Sequence, residues 1–464
     1  MNLRRTIAAA SLIALSLLLC AIARTAPQSP SEFLWISDLH FDPTANSALV
    51  DSLAEASTTD WARILTSSPG HPSKFGEDTD WPLLASSLAE IRKASQRAQF
   101  TVVTGDIFVH NFRQKFDRTT RNHDDDAFRQ FTGKTFQFVA AQLSDLIPGK
   151  PVLFTLGNND SDCGDYELQP GGAFLKDTSA AVARMLGPLA NDTSASNWAA
   201  SGSYSVPHPV LKGYRVISLN SVYFSPRYRN ACAETNAGSR PAQNEMSWLA
   251  AQLAAAKAHR EKVWLLFHIA PGIDGYATAH PKGGATEKPI VYMWKPDDND
   301  HFQQLLEQYR DTVTISLAGH EHTDDFRLVN HSLVLLAPGL SPLVGQNPAF
   351  RLVTYRPGGN LTDATTYYLS NLDEFDAGAA PVWKPEYSFA QAWHTSRLDF
   401  RNFNKLYREV QSDPDLRARW TTFYSVSHPE GNAVTPETFP RLFCAAGNLN
   451  ETSYHACLQR VQSH

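Results

Sequence analysis

VTISLAGHEH, Val313 to His322, is an apolar run rich in β-branched residues that stops at a glycine and then presents two histidines one residue apart. Such a run suits a strand, and alternate residues at its end point the same way, so His320 and His322 leave it as a pair. Working outward, the same design recurs. FLWIS from Phe33 runs into Asp38-Leu39-His40, FTVVT into Gly105-Asp106, VLFTL into Gly157-Asn158-Asn159-Asp160, RVISL into Asn220 and VWLLF into His268. Runs that are apolar throughout suit strands covered on both faces. Between several of them lie stretches with helical spacing, WPLLASSLAEIRKASQ from Trp81 and MSWLAAQLAAAKAHR from Met246. This alternation predicts an α/β fold, a sheet core with helices outside.

From Leu333 the pattern changes to LVLLAPGL, FRLVTY and ATTYYL separated by turn signals, which predicts sequential antiparallel strands. Beyond about Pro385 the chain is rich in Arg and aromatics at helical spacing, as in LDFRNFNKLYREV, and predicts a helical appendage around Cys444 and Cys457. The expected organisation is a leader over 1–23, a catalytic domain over 24–384 and a C-terminal extension over 385–464.

In an open α/β sheet, side chains just beyond the carboxyl ends of strands converge on one rim. Asp38, His40, Asp106, Asn158, His268, His320 and His322 would meet there. Two carboxylates, an amide and four imidazoles suit Zn, Mn or Fe and suit a calcium-only site poorly. Seven ligands exceed one tetrahedral site. With Asp106 shared, two ions about 3.5 to 4 Å apart become possible, and a hydroxide between them could attack phosphorus in line. Each corner alone fits an ordinary capped turn or a hydrogen-bonded core histidine; the recurrence in order carries the reading.

The ordered pattern D-x-H, G-D, G-N-x-D, H and G-H-x-H resembles the calcineurin-like metallophosphoesterases over about Phe33 to His322. The resemblance implies a two-sheet β-sandwich flanked by helices. It also implies that Asp38, His40, Asp106 and His322 hold one divalent ion, zinc first with Mn or Fe as alternatives, and that Asp106, Asn158, His268 and His320 hold the other. FGEDTDWP from Phe75, TGDIFVHN, HIAPG, APGLSP with NPAFRLVTY, and the Cys-bearing tail are similar to the acid sphingomyelinase-like phosphodiesterase branch. The expected activity is phosphodiester hydrolysis. The G-N-N-D variant also resembles vacuolar endopolyphosphatases, which adds phosphoanhydride cleavage as an alternative. A binding protein that retains metal without efficient chemistry is the alternative of another class.

Asn159 stands where that family usually has a catalytic His, and an amide cannot be an acid. His110, in G-D-x-x-x-H, is the candidate general acid, matching a second substrate-side His of the sphingomyelinase-like branch. Its bland alternative is a loop histidine bonded to backbone. His71, Asp80, Tyr223, Asp274 and Trp294 are further candidates for the substrate cleft, with core packing or loop structure as the equal alternative. The acidic runs Asp124 to Asp126 beside His123, and Asp297, Asp298 and Asp300, read as solvated loops.

Lys plus Arg total 41 against 47 Asp plus Glu, a net charge of −6, so no basic field favours duplex nucleic acid. The expected partner is a small phosphoester or phosphoanhydride. Arg4 and Arg5 precede an apolar run from Ile7 that ends in Ala21-Ile22-Ala23, the pattern of a cleavable secretory signal. The run is short against the roughly 20 apolar residues of a spanning helix, so no integral segment is expected in the mature chain, and the location is extracellular or periplasmic. Four cysteines remain. Cys444 with Cys457 and Cys163 with Cys232 is the expected pairing, with other connectivities and free thiols open. Asn191, Asn330, Asn360 and Asn450 lie in N-x-[ST] sequons, as Asn159 formally does.

Overall fold

Every apolar run that ends at a polar corner is a strand in the computed structural model, which describes residues 30–230, 232, 240–281, 289–428 and 434–462. The expected leader lies outside the described residues. No helix among them is long and apolar enough to cross a membrane.

The strands form two six-stranded sheets. In the first, β1 (Ser31–Ile36) lies between β2 (Ala98–Val103) and β10 (Ala349–Tyr355); β3 (Val152–Phe154) follows β2, and β11 (Leu361–Leu369) and β12 (Trp383–Ser388) follow β10. The β1–β2–β3 half is parallel and the β1–β10–β11–β12 half antiparallel. The second sheet runs β4 (Tyr204–Pro207), β5 (Tyr214–Ser218), β6 (Lys262–Leu266), β7 (Val313–Ala318), β9 (Ser332–Leu336) and β8 (Asp325–Val329). One sequence expectation is corrected here. The run from Leu333 does not join the next two strands in an antiparallel series: β9 pairs parallel with β7 in one sheet, while β10 and β11 belong to the other. Apolar periodicity specifies a strand and leaves its neighbour open.

The sheets face each other through an aromatic layer. Trp264 of β6 meets Phe33 of β1, Phe100 of β2 and Tyr355 of β10 with ring centroids 5.5, 6.3 and 5.8 Å apart. All four are fully buried, and each contributes about 1.5–3 kcal/mol through the apolar area it removes from water. Helices cover the outer faces, among them α1 (Trp81–Ala94), α2 (Asp125–Ser144), α3 (Ala173–Leu186) against β3, and α4 (Pro241–Ala258) against β6. This double cover is why the strands lack polar alternation.

The C-terminal helices are seated on the two-sheet core, beyond the short α5 (Gly275–Ala279) and α6 (Pro296–Gln308), which packs on α4. Helix α7 (Phe400–Ser412) packs on β8 and β9 and on the following α8 (Pro414–Tyr424), and α9 (Phe439–Gly447) packs on α5. Gly275 permits that approach, since a Cβ there would sit 3.1 Å from Ala445 Cβ. The disulfides are Cys163–Cys232 and Cys444–Cys457, the latter joining α9 to α10 (Glu451–Gln462). Asn191, Asn330, Asn360 and Asn450 are exposed, whereas Asn159 is buried and closed to glycosylation.

Candidate metal centre

The carboxyl ends of β1, β2, β3, β6 and β7 meet at one rim because their corners bond to one another. Asp38 N donates to Gly105 O at 3.1 Å, His40 N to Asp106 O at 3.0 Å and Gly319 N to His268 O at 3.0 Å. Leu340 N and Ser341 N close the far side on Ser37 O and Asp38 O, both at 3.0 Å. Asp38, His40, Asp106, His320 and His322 all have positive φ, between 45° and 76°. For residues with a Cβ this is strained backbone, sustained by surrounding structure and concentrated at functional sites. Gly157 and Gly319 have a different reason: an added Cβ would overlap Asp106 Oδ1 in the first case and Ser37 Oγ in the second.

All seven sequence-predicted metal ligands come together at this rim, with Asp106 between two clusters. Asp38, His40 and His322 form one group and Asp106, His268 and His320 the other. In the first, His40 Nε2 lies 3.1 Å from His322 Nε2, and His322 Nε2 lies 3.6 Å from Asp38 Oδ1. In the second, His268 Nε2 lies 3.1 Å from Asp106 Oδ2, 3.1 Å from Asn158 Oδ1 and 3.2 Å from His320 Nδ1. Asp106 Oδ2 is also 3.5 Å from His40 Nε2, so this oxygen reaches both groups.

The outward ring nitrogens set the tautomers. Nδ1 of His40 meets Phe108 O at 2.9 Å, Nδ1 of His268 meets Thr104 O at 2.6 Å and Nδ1 of His322 meets Ser341 O at 3.3 Å. A carbonyl only accepts, so each Nδ1 carries the proton and, in the neutral ring, Nε2 turns a lone pair inward. Asn158 is oriented in the same sense, because its amide nitrogen donates to Asp165 Oδ1 at 2.6 Å and leaves its oxygen facing His268. Converging lone pairs and carboxylates in a buried site fit a pair of divalent cations.

Electrostatics agree. Burial pushes His40, His320 and His322 down, which keeps them neutral and able to donate. Burial raises the Asp38 carboxyl. Asp106 is held well below the usual carboxylate range: burial opposes its charge, and His268 beside it prevails. Burial likewise opposes a charged His268, but Asp106 pushes its imidazole up to about 9.

Residues 31–324 match the profile of the Calcineurin-like phosphoesterase family. The chain belongs to that family. Residues 333–464 match the Acid sphingomyelin phosphodiesterase C-terminal region, which places this phosphoesterase in the acid sphingomyelinase-like branch. It is similar to cyclic GMP-AMP phosphodiesterase SMPDL3A of Mus musculus, 25% identical with 95% of this chain and 96% of that one covered. It is also similar to sphingomyelinase phosphodiesterase C of Dictyostelium discoideum, 26% identical over 76% of each. Among solved structures it is similar to PhoD, at 12% identity and a TM-score of 0.41, covering 79% of this chain and 70% of that one. Family membership makes the chain a phosphoric ester hydrolase, and its fold is one that works with divalent metal ions.

Behind the rim of this phosphoesterase lies the carboxylate that ends the G-N-x-D corner, whose partners the sequence does not reveal. Asp160 accepts from Asp106 N at 2.9 Å, Ile107 N at 2.8 Å, Phe108 N at 3.3 Å and Gly157 N at 2.8 Å, tying two corners together. Asn159, expected among catalytic residues, faces the same way. Its backbone N donates to Asp106 Oδ1 at 2.8 Å and its amide to Asp106 Oδ2 at 2.9 Å. Both bonds hold Asp106, and Asn159 is not among the residues that line the cavity.

The ligands open into a cavity of about 690 Å³ whose wall includes Asp106, Asn158, His320 and His322 with His110, Asp165, Tyr166, Arg227 and Asp274. His110 is no backbone-bonded loop residue. Its Nδ1 meets Asp78 Oδ1 at 2.8 Å, and Lys115 Nζ bridges Asp78 Oδ2 at 2.9 Å and Asp42 Oδ2 at 2.8 Å. Burial opposes protonation of His110, but Asp78 raises its pKa, and burial of Asp78 is overcome by His110, His40 and Lys115, which lower its own. Asp78 lies within FGEDTDWP, where its alternation with Asp80 is the only sequence signal. Of the other cleft candidates only Asp274 lines the cavity. Asp80 caps α1 through Leu83 N at 3.0 Å, Tyr223 and Trp294 are buried in the core, and His71 lies on an exposed loop. Asp125 and Asp126 open α2, and Asp297 and Asp298 open α6, where acids suit the positive helix end.

Proposed function

We propose that the chain is an exported phosphodiesterase using two divalent cations, zinc before manganese or iron. Asp38, His40, Asp106 and His322 would hold one, and Asp106, Asn158, His268 and His320 the other. The observation that carries this reading is the position of Asp106 Oδ2, 3.5 Å from His40 Nε2 and 3.1 Å from His268 Nε2, between two clusters of inward lone pairs. Mixed imidazole and oxygen donors favour borderline ions such as zinc. When bound, the cations supply the Lewis acidity that polarises a phosphoryl group and makes water nucleophilic near neutral pH.

His110 is the acid for the leaving group. Its Nδ1 is engaged by Asp78, so Nε2 is the proton position left for a departing alkoxide, and Asp78 keeps that proton in place. Asn159 holds Asp106 in the orientation that serves both clusters. The printed names of the relatives, cyclic GMP-AMP phosphodiesterase and sphingomyelinase phosphodiesterase, support diester cleavage. The leader-like segment over 1–23 and two disulfides support export to an oxidising compartment. The catalytic unit is 24–384 and the extension 385–464.

Steady-state hydrolysis of bis(p-nitrophenyl) phosphate tests the reading. Turnover should vanish when the protein is stripped with a chelator and return with added Zn or Mn. A metal-loaded, folded protein without turnover would overturn it in favour of a binding protein.

A further inference from the structure

The chain leaving α8, Tyr424 to His428, holds the loops on both sides of His322. Tyr424 O accepts from Asp324 N at 3.2 Å, just after that histidine. On the other side Asn347 Nδ2 donates to Val426 O at 2.8 Å, and His428 Nδ1 donates to Gly345 O at 2.6 Å. Gly345 and Asn347 belong to the loop whose Ser341 O takes the Nδ1 proton of His322, and Gly345 N closes that loop on Pro342 O at 3.0 Å. The His428 ring also lies flat on Phe75, with centroids 3.9 Å apart and 17° between planes. Phe75 heads the segment that carries Asp78, the partner of His110, and Gly76 N bonds to Pro342 O at 3.1 Å, so the two loops move as one layer. The turn itself is strained. Val426 and Ser427 have φ of 52° and 56°, and Val426 is fully buried beside Ala349 and Tyr368. For a β-branched residue such a φ is an outlier that its surroundings must sustain, and outliers of this kind concentrate where geometry serves function.

We propose that His428 is a positioning residue through which the turn after α8 sets the His322 side of the rim. The inference rests on the two-cation reading above for the role of His322 and adds what orients it. His322 turns Nε2 inward only while Ser341 O stays in place to take its other proton. His428 touches no reacting atom; it acts through Gly345 and the loop that Gly345 closes. The other cluster is oriented elsewhere, since His268 gives its Nδ1 proton to Thr104 O, just beyond β2. Loss of His428 is therefore felt on one side of Asp106 only.

The test compares the full-length wild type, stripped with a chelator, with His428→Ala, His428→Asn and His428→Phe. Amide hydrogen exchange is followed by mass spectrometry before and after zinc is added, and zinc binding by calorimetry. In the stripped protein His428→Ala should speed exchange over residues 339–345 by about three- to tenfold, the worth of one net hydrogen bond, and leave residues 266–270 unchanged. It should weaken one zinc affinity about tenfold and spare the other, as expected when the outer partner of a ligating histidine is disturbed. The side-chain amide of Asn stands where Nδ1 does, so His428→Asn should recover both properties. His428→Phe keeps the stack on Phe75 without the donor and should recover neither. Unchanged exchange over 339–345, or equal losses along the chain and at both cations, would overturn the inference. If the wild type takes up no pair of cations, the two-cation reading fails, while the exchange comparison still decides the role of His428.

Discussion

His40 and His322 point their Nε2 atoms at each other across 3.1 Å, and each has its Nδ1 on a backbone carbonyl. In the neutral rings neither has a proton to give the other, so the pair is suited to a cation between them. Of the four ligating imidazoles only His268 is pushed upward, to about 9, by Asp106. Zinc binding near pH 7 should therefore expel about one proton per chain, because ligating imidazoles must be neutral. Calorimetric titrations in buffers of different ionisation enthalpy read this number directly, and a value near zero would contradict the assignment of His268.

Asp106→Asn should leave the fold intact and remove both metal retention and turnover. Its backbone N still reaches Asp160, while its charge between the clusters is lost. Circular dichroism and metal content of the dialysed variant separate the effects. A folded variant that keeps two ions and most of its activity would refute the shared position.

His110→Ala should slow hydrolysis of an alkyl diester by about 10²–10⁴-fold and a p-nitrophenyl diester much less, since a good leaving group needs little acid help. Asp78→Asn probes the same proton by pH. Asp78 raises the His110 pKa, so the rate should fall at alkaline pH as His110 loses its proton, and removing Asp78 should move that limb to lower pH. An unmoved limb would assign it to another group.

Glu245 gives a stability prediction away from the site. Its Oε1 accepts from Asn220 N at 3.1 Å and from the Ser203 hydroxyl, and burial pushes its carboxyl up to about 7. Below the unfolded value near 4.5 the acid is protonated in both states and costs nothing. Between there and 7 the unfolded chain ionises first, so stability falls as pH rises, by up to about 3 kcal/mol in total. Glu245→Gln keeps the acceptor and removes the charge. It should raise Tm by a few degrees at pH 8 and change it little at pH 4.5, as scanning calorimetry can show.

The strand corners are legible in the sequence because burial on both faces forces unbroken apolar runs, and the polar residue that ends each run marks the rim. The runs point to Asp38, Asp106, His268 and His320 only through their recurrence in order, because RVISL ends at a polar corner in the same way and its Asn220 caps a turn. Asp160 is marked as part of its corner, but its partners, 52 to 54 positions away, are not, and Asp78 is unmarked, because His110 reaches it from 32 positions away. Tyr223 and Trp294 read equally as cleft or core and are core, since an aromatic beside a loop has the same sequence signature in either place.

The central position of β1 between β2 and β10 bears on biosynthesis. Asp38 and His40 lie near the start of the described chain, yet the backbone that closes on Ser37 and Asp38 comes from Leu340 and Ser341. Pairings so distant along the chain form late and slowly. A nascent polypeptide therefore stays catalytically silent through most of its translation, and its hydrolytic power arises only when nearly three-quarters of its length has been made.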